Sequence, residues 1–152
     1  MRLLKSVFAT MFIYIFVAIL CSTSWAGLND DLLKAADKGD LKTVKICLGK
    51  GADVNTKDDD DWTALILAAK NGHSDVVTQL IAMGADVNAK DNDGWTALFY
   101  AAQEGHSNVA TQLLAMGADV NAKDEDGGTA FFYAAKNGYD DIVNILKAAG
   151  AG

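Results

Sequence analysis

Cysteine and arginine are scarce and proline is absent in this sequence of 152 residues, and the first two shortages exclude classes of protein. Cys47 is the only cysteine beyond residue 26, so that part of the chain has no internal disulfide, and Cys47 is expected to be a small buried apolar residue. Arg2 is the only arginine, which removes the usual bidentate reader of phosphate. Residues 27–152 carry 11 lysines against 20 acidic residues, hence a formal charge of −9. Such a surface repels nucleic acids and anionic lipids, so nucleic-acid binding is not expected.

Residues 1–26 differ in composition from the rest of the chain. Two positive charges, on Arg2 and Lys5, precede an apolar run, and the small residues Ser24 and Ala26 occupy the positions that a signal peptidase reads. This order is typical of a secretory signal peptide. We therefore predict that residues 1–26 are a signal peptide, cleaved after Ala26.

The apolar run over residues 7–21 leaves a second interpretation open. It reaches about 22 Å as a helix, which is short of the roughly 30 Å hydrocarbon core of a bilayer. However, no charged residue lies between Lys5 and Asp30, so an uncleaved membrane anchor is the alternative interpretation. A lipid anchor on Cys21 is disfavoured because Leu20 stands where a small residue is required.

The sequence repeats itself with a period of 33 residues. Residues 59–91 and 92–124 share 24 identical positions of 33. A period of this length indicates a stacked array of one supersecondary unit. Two sets of glycines mark the period: Gly39, Gly72, Gly105 and Gly138, and Gly51, Gly84, Gly117 and Gly150.

Each repeat is predicted to contain two short helices and a projecting finger. In the second repeat, Thr63 is placed to cap a helix over residues 64–70, and Gly72 follows its end. A second helix over residues 74–82 carries apolar residues at spacings of one, three and four. Residues 85–94 then form an extended segment and a tight turn.

These motifs resemble ankyrin repeats over residues 28–150. The matching motifs recur in phase and are Asp91-x-x-Gly94-x-Thr96-Ala97-Leu98, Ala101-Ala102-x-x-Gly105-His106 and Gly117-Ala118-Asp119-Val120-Asn121. The chain is similar to a small exported bacterial ankyrin-repeat protein. The resemblance implies an all-α repeat solenoid of helix-turn-helix units with β-hairpin-like fingers. The domain would span residues 27–152, with irregular first and last units among four: 29–58, 59–91, 92–124 and 125–150.

Two departures from the family pattern stand out. Alanine replaces the proline after the capping threonine, for example at Ala64, and an apolar residue replaces the histidine, for example Ile66. Alanine is a good helix former, so we expect the fold to survive with apolar packing. Asp61 replaces the turn glycine and is expected to adopt the same left-handed backbone. At the start of the array, Asp30 is predicted to cap the first helix.

The resemblance also implies a binding surface made by the finger tips and the concave face of the first helices. The tips would be Asp59, Asp60, Asn92, Asp93, Glu125 and Asp126. The positions before the capping threonines would be Trp62, Trp95 and Gly128. The outward helix positions would be Leu67, Tyr100 and Tyr133, followed by Lys70, Asn71, Gln103, Glu104, Lys136 and Asn137.

Two features of this surface have more than one interpretation. Trp62 and Trp95 are the residue type enriched in binding hot spots, but they also suit packing between adjacent fingers. The acidic tips suit turn formation and solubility, and they also suit steering of a basic partner. A calcium site is disfavoured because no glutamate stands at the closing position of a twelve-residue loop.

The residues give no sign of catalysis. A nucleophile needs an adjacent base and an orienting group, and the two histidines, His73 and His106, occupy structural positions of the repeat. One period would hold them about a helix-packing distance apart, which is too far for shared zinc ligation. We expect no enzyme activity, no metal, no cofactor and no small-molecule substrate.

The sequence thus predicts a monomeric, periplasmic or secreted protein-binding module whose unidentified partner is a protein with a basic surface. The alternatives are a membrane-tethered scaffold, which would need residues 1–26 uncleaved, and a secreted factor that binds host proteins. Only the membrane-tethered alternative would place the protein at a membrane.

Overall fold

The computed structural model describes residues 27–152, which form a stack of helix pairs. The prediction of a signal peptide over residues 1–26 lies outside the described residues. Residues 27–38 form α1, and the helices that follow are α2 (Leu41–Gly49), α3 (Ala64–Lys70), α4 (Ser74–Ala82), α5 (Ala97–Glu104), α6 (Ser107–Ala115), α7 (Ala130–Asn137) and α8 (Asp140–Ala148).

The helices lie in two layers. In one layer α3 packs on α5 and α5 on α7, and in the other α2, α4, α6 and α8 follow one another. The predicted all-α repeat solenoid is confirmed. The fingers are built from turns, and within residues 27–152 their extended backbone makes a single isolated antiparallel bridge, between Lys57 and Thr63.

Local sequence sets the helix starts and turns as expected, except at Asp30 and at Thr96, whose side chain makes no capping hydrogen bond to α5. Thr63 Oγ1 accepts a hydrogen bond from the backbone N–H of Ile66 at 3.2 Å, so it caps α3 as predicted. Asp61 has φ 61°, close to the 79° of Gly94 at the equivalent position, which confirms its left-handed backbone. The prediction for Asp30 is wrong, because residues 27–29 are already helical and Asp30 lies inside α1.

Small and branched apolar side chains fill the space between units. Ala68, Ala101 and Ala134 have no exposed surface, which lets the first helices of successive units approach closely, while Leu80, Leu113 and Leu146 are fully buried in the second-helix layer. Ala135, by contrast, is exposed, because no first helix in the described residues packs over α7 from that side. Cys47 is buried, as predicted, and this burial raises the pKa of its thiol.

Asparagine side chains join each finger to the next. Asn55 Oδ1 accepts from the backbone N–H of Asp86 at 2.8 Å, and Asn55 Nδ2 donates to the carbonyl oxygen of Gly84 at 3.3 Å. Asn88 makes the same two bonds one unit later, to Asp119 and Gly117. These bonds satisfy finger backbone groups that have no strand partner and fix the spacing of the units.

None of the helices in residues 27–152 has the length and apolar character needed to cross a lipid bilayer.

Candidate functional site

One aspartate in each finger organises the turn that leads into a first helix. Asp91 Oδ1 accepts hydrogen bonds from the backbone N–H groups of Asp93 at 3.0 Å and Trp95 at 2.9 Å. Asp58 binds the N–H groups of residues 60 and 62 in the same way, and Asp124 those of residues 126 and 128. Turn formation therefore accounts for these three carboxylates.

Tyrosine hydroxyls bind the second oxygen of two of these aspartates. Tyr100 Oη donates to Asp91 Oδ2 at 2.7 Å, and Tyr133 Oη donates to Asp124 Oδ2 at 2.5 Å. Burial, with the bond to Asp91, raises the pKa of Tyr100 well above its ordinary value. The bond to Asp124 and partial burial raise the pKa of Tyr133 to about 12.

The electrostatics of Asp124 result from two opposing effects. Burial alone would raise the pKa of Asp124, but hydrogen bonds from the Tyr133 hydroxyl and the backbone N–H groups of Gly128 and Asp126 outweigh it and hold the pKa below its ordinary value. At neutral pH the pair is therefore a neutral tyrosine donating to an ionised carboxylate. The bond is charge-assisted and fixes the tyrosine ring.

The predicted finger tips lie side by side in solvent. The backbone N–H of Asn92 donates to the carbonyl oxygen of Asp60 at 3.3 Å, and that of Glu125 to the carbonyl oxygen of Asp93 at 3.4 Å. Successive tips are thus joined through their backbone, and their side chains form a row of five carboxylates and the Asn92 amide. All six tip residues are exposed: Asp59, Asp60, Asn92, Asp93, Glu125 and Asp126.

Four aromatic side chains from units two to four form a continuous row, which we call the aromatic row. Its members are Trp62, Tyr100, Trp95 and Tyr133. The ring centroids of Trp62 and Tyr100 are 4.8 Å apart, those of Tyr100 and Trp95 5.1 Å, and those of Trp95 and Tyr133 4.6 Å. The rings are tilted by 47–50°, within the range of favourable aromatic pairs.

The expectation that Tyr100 points outward is wrong. Only 7% of its surface is exposed, because an indole covers each side of its ring and its hydroxyl is held by Asp91. Trp62, Trp95 and Tyr133 are half-buried. The tryptophans therefore do pack between adjacent units, as one interpretation predicted, and each also keeps an exposed part. Their role in partner contact stays a prediction.

Leu67 stands in unit two where units three and four have tyrosine. It is half-buried and lines a cavity of about 330 Å³ with Leu33, Lys34 and Asp58. On the same helix, Lys70 Nζ lies 4.6 Å from the centroid of the Trp62 ring, a cation–π contact. Sequence reasoning missed this contact, although the sequence places Trp62 just before the start of α3 and Lys70 at its end.

The ends of the first helices carry the remaining predicted site residues. Glu104 is exposed at the end of α5, while Gln103 is half-buried and its backbone carbonyl accepts from Asn137 Nδ2 at 2.9 Å. Two units earlier, Asn71 Nδ2 also donates to the preceding unit, to the side-chain oxygen Asp37 Oδ1 at 2.9 Å. The two asparagines therefore join neighbouring units, whereas Glu104 and Lys136 are exposed polar side chains of this group.

The histidines have the structural role that was predicted. His73 Nε2 lies 2.9 Å from the carbonyl oxygen of Asp37, and His106 Nε2 lies 2.9 Å from that of Lys70. Because a carbonyl oxygen only accepts, Nε2 is the protonated nitrogen in each. A Cβ atom at Gly72 would lie 2.7 Å from the His106 ring, so the glycine is required by this close approach.

Two openings in the surface were not predicted. One, of about 400 Å³, lies between α4 and α6 and is lined mainly by apolar atoms of Ile81, Ala82, Ala115 and Met116. The other, of about 430 Å³, lies beside Tyr133 at the end of the aromatic row and includes Gly128. The only sequence feature that could have predicted the opening beside Tyr133 is Gly128, which replaces tryptophan in unit four.

The chain matches known proteins along most of the described residues. Residues 32–124 match the family model described as ankyrin repeats in three copies, and residues 111–149 match the one described as ankyrin repeats in many copies. A protein from Medicago truncatula named Vapyrin-like is 51% identical over 37 residues, which are 24% of this chain and 8% of that protein. This chain therefore corresponds to a small part of that relative, about the length of one repeat.

Proposed function

Since the chain belongs to the ankyrin-repeat family and is a protein-interaction module, we propose that it binds a protein with a basic surface through its finger tips and aromatic row. The observation that carries the proposal is the row of exposed carboxylates on adjoining tips, next to half-exposed indoles. Carboxylates at this position attract basic groups, and tryptophan supplies a large contact area at low entropic cost. Every residue of this surface is one that the family resemblance implied.

Charge is the main argument for the partner's chemistry. Turn formation uses Asp58, Asp91 and Asp124, so it accounts for only part of the acidic composition. The tip carboxylates beyond them belong to Asp59, Asp60, Asp93, Glu125 and Asp126. Their alignment along one edge produces a negative potential that is larger than that of scattered charges. A basic partner would associate faster with this edge than a neutral one.

A paired-charge experiment tests the binding surface. Once a partner has been identified by cross-linking, its association rate is measured over a series of salt concentrations. We expect Asp93→Asn with Asp126→Asn to slow association and flatten the salt dependence. The control, Asp140→Asn with Asp141→Asn on exposed α8, changes the net charge equally and should have a smaller effect. Equal effects of the two pairs would remove the finger tips from the binding surface.

We also propose that the protein is exported to the periplasm or beyond and acts there as a monomer. The support is the order of charge, apolar run and small residues within residues 1–26. The intact mass of the exported protein tests this proposal. A chain that begins at Gly27 is expected, whereas retention of residues 1–26 in a membrane fraction would favour the tethered scaffold.

A further inference from the structure

The aromatic row stops at a vacant position in unit four. Tyr100 lies between Trp62 of the preceding unit and Trp95 of its own unit. Tyr133 has Trp95 of the preceding unit on one side, but its own unit has Gly128 at the tryptophan position. Tyr133 therefore lacks the second indole that Tyr100 has, and its other aromatic neighbours are Phe99 at 6.0 Å and Phe132 at 5.3 Å between ring centroids.

The vacant position is an open space of about 430 Å³, which we call the aromatic slot. It is lined by Gly127, Gly128, Phe132, Tyr133 and Lys136, with Asp126 and Thr129 at its edge. Its volume falls within the range of about 300–1,000 Å³ typical of ligand sites. Phe132 is 53% exposed and meets the Tyr133 ring edge-on at 5.3 Å, so the slot has an apolar rim.

Tyr133 is more exposed than Tyr100 because it lacks a second indole and because no first helix in the described residues packs over α7 on the side away from α5. Tyr100, covered on both sides, is 7% exposed, whereas Tyr133 is half-buried although its hydroxyl makes the same bond to an aspartate. The turn beneath the slot is already in place, because Asp124 holds the backbone N–H of Gly128 as Asp91 holds that of Trp95. A ring in the slot would therefore complete an arrangement that unit three already contains.

A lysine is placed to cover such a ring. Lys136 stands at the position in unit four that Lys70 occupies in unit two, 66 residues earlier. Lys70 Nζ lies over the Trp62 indole at 4.6 Å, and Lys136 lines the slot where the equivalent indole is missing. The exposed carboxylates of Asp126 and Glu125 adjoin the slot and suit basic residues on either side of an incoming ring.

We propose that the aromatic slot binds one tryptophan side chain of the partner protein, flanked in the partner's sequence by basic residues. This proposal rests on the proposed function and names the group through which the partner is recognised. The indole lies against Tyr133 in the place that Trp95 takes against Tyr100, with Lys136 over its outer face.

Short peptides test the proposal on the intact protein. The probes are acetyl-Lys-Trp-Lys-amide and acetyl-Lys-Leu-Lys-amide, which carry the same charge, and acetyl-Glu-Trp-Glu-amide. Binding is followed by two-dimensional NMR of ¹⁵N-labelled protein. The first peptide should shift the amide signals of Gly127, Gly128 and Tyr133, and should bind about tenfold more tightly than the other two.

Three variants locate the effect. Gly128→Trp fills the slot from within and should abolish the shifts. Because a Cβ at this position would lie 2.9 Å from Asp124 Oδ2 and 3.0 Å from the Tyr133 ring, the Tyr133 side chain has to move, and the amide spectrum of the other units checks that the variant is folded. Lys136→Gln, a surface change that leaves the fold intact, should weaken binding about two- to fivefold. Ala115→Leu narrows the other opening, between α4 and α6, and should leave binding unchanged.

Several results would overturn the proposal. Equal binding of the tryptophan and leucine peptides would show that charge alone is recognised. Shifts centred on Ile81 and Ala115 would place the peptide in the other opening. Slot signals that move with protein concentration would make a second copy of the chain the occupant. If Gly128→Trp leaves an identified partner's affinity intact while the finger-tip variants reduce it, the slot proposal fails and the proposed function stands.

Discussion

Single hydroxyl groups distinguish the units of this protein chemically. Tyr100 and Tyr133 each donate to a turn-forming aspartate, whereas Leu67 at the same position in unit two has no group to donate. As a result Asp91 and Asp124 are buried and their hydrogen bonds from the tyrosines are charge-assisted, whereas Asp58 is exposed. One side chain per repeat thus decides how firmly a finger is attached to its helix.

The Tyr133–Asp124 bond predicts a loss of stability in alkali. The pKa of folded Tyr133 is about 12, above the ordinary 10.0, so the folded state holds its proton more tightly than the unfolded state. Its contribution is complete below the ordinary pKa and is lost as pH rises from 10.0 to about 12. Urea unfolding over this range should show a smaller decline for Tyr133→Phe than for the wild type. Identical pH profiles would contradict the prediction.

At the scale of the helix and finger, short-range sequence signals proved sufficient. The helices predicted over residues 64–70 and 74–82 have those bounds: Thr63 caps the start of the first, and Gly72 and Gly84 follow the ends of the two. Asp61 was identified from its repeat position alone and does take a positive φ. The backbone strain at Asp61 is the visible cost of replacing glycine in this turn.

Asp61→Gly should therefore stabilise the protein. Relief of the left-handed conformation at a non-glycine residue is worth about 1–2 kcal/mol, and the exposed Lys57–Asp61 ion pair that is lost contributes at most about 1 kcal/mol. We expect the free energy of unfolding to rise by about 0.5–1 kcal/mol in urea titrations. Asp61→Asn removes the charge but tolerates the same backbone, so it serves as the control. Destabilisation by Asp61→Gly would contradict this reasoning.

The features that sequence reasoning missed depend on neighbouring units. Tyr100 was predicted to be exposed because its own helix leaves that position outward, but the indole of Trp62, a unit earlier, covers it. The aromatic slot likewise exists only because Trp95 lies on one face of Tyr133 and Gly128 on the other. Contacts between side chains 33 or more residues apart set both, and local patterns do not encode their geometry.

At the scale of the whole molecule, each unit is stabilised by packing against its neighbours. α6 packs between α4 and α8, whereas α8 has a single neighbour in its layer within the described residues. Leu113 in α6 and Leu146 in α8 are both fully buried, so truncation of either removes the same side chain from water. Because α6 has a neighbour on each side and α8 has one, we expect truncation of Leu113 to destabilise more units of the stack than truncation of Leu146.

Leu113→Ala and Leu146→Ala should each lower the local free energy of unfolding by about 2–5 kcal/mol, but they should affect different numbers of helices. Hydrogen exchange should accelerate from α4 to α8 in the first variant, and mainly in α7 and α8 in the second. Equal acceleration in α3 and α4 for both variants would show that the entire stack unfolds as one cooperative unit, contrary to this expectation.

The asparagine bonds between fingers have a consequence for how such a chain changes length. Asn55 and Asn88 reach acceptors and donors at the same separations, 29 and 31 residues ahead, and Asn121 reaches Gly150 in the same way. These three junctions therefore share one pattern of backbone contacts. An in-frame duplication of residues 92–124 would insert a cassette whose two boundaries already fit, and a gene could lengthen by copying without any new contact having to evolve.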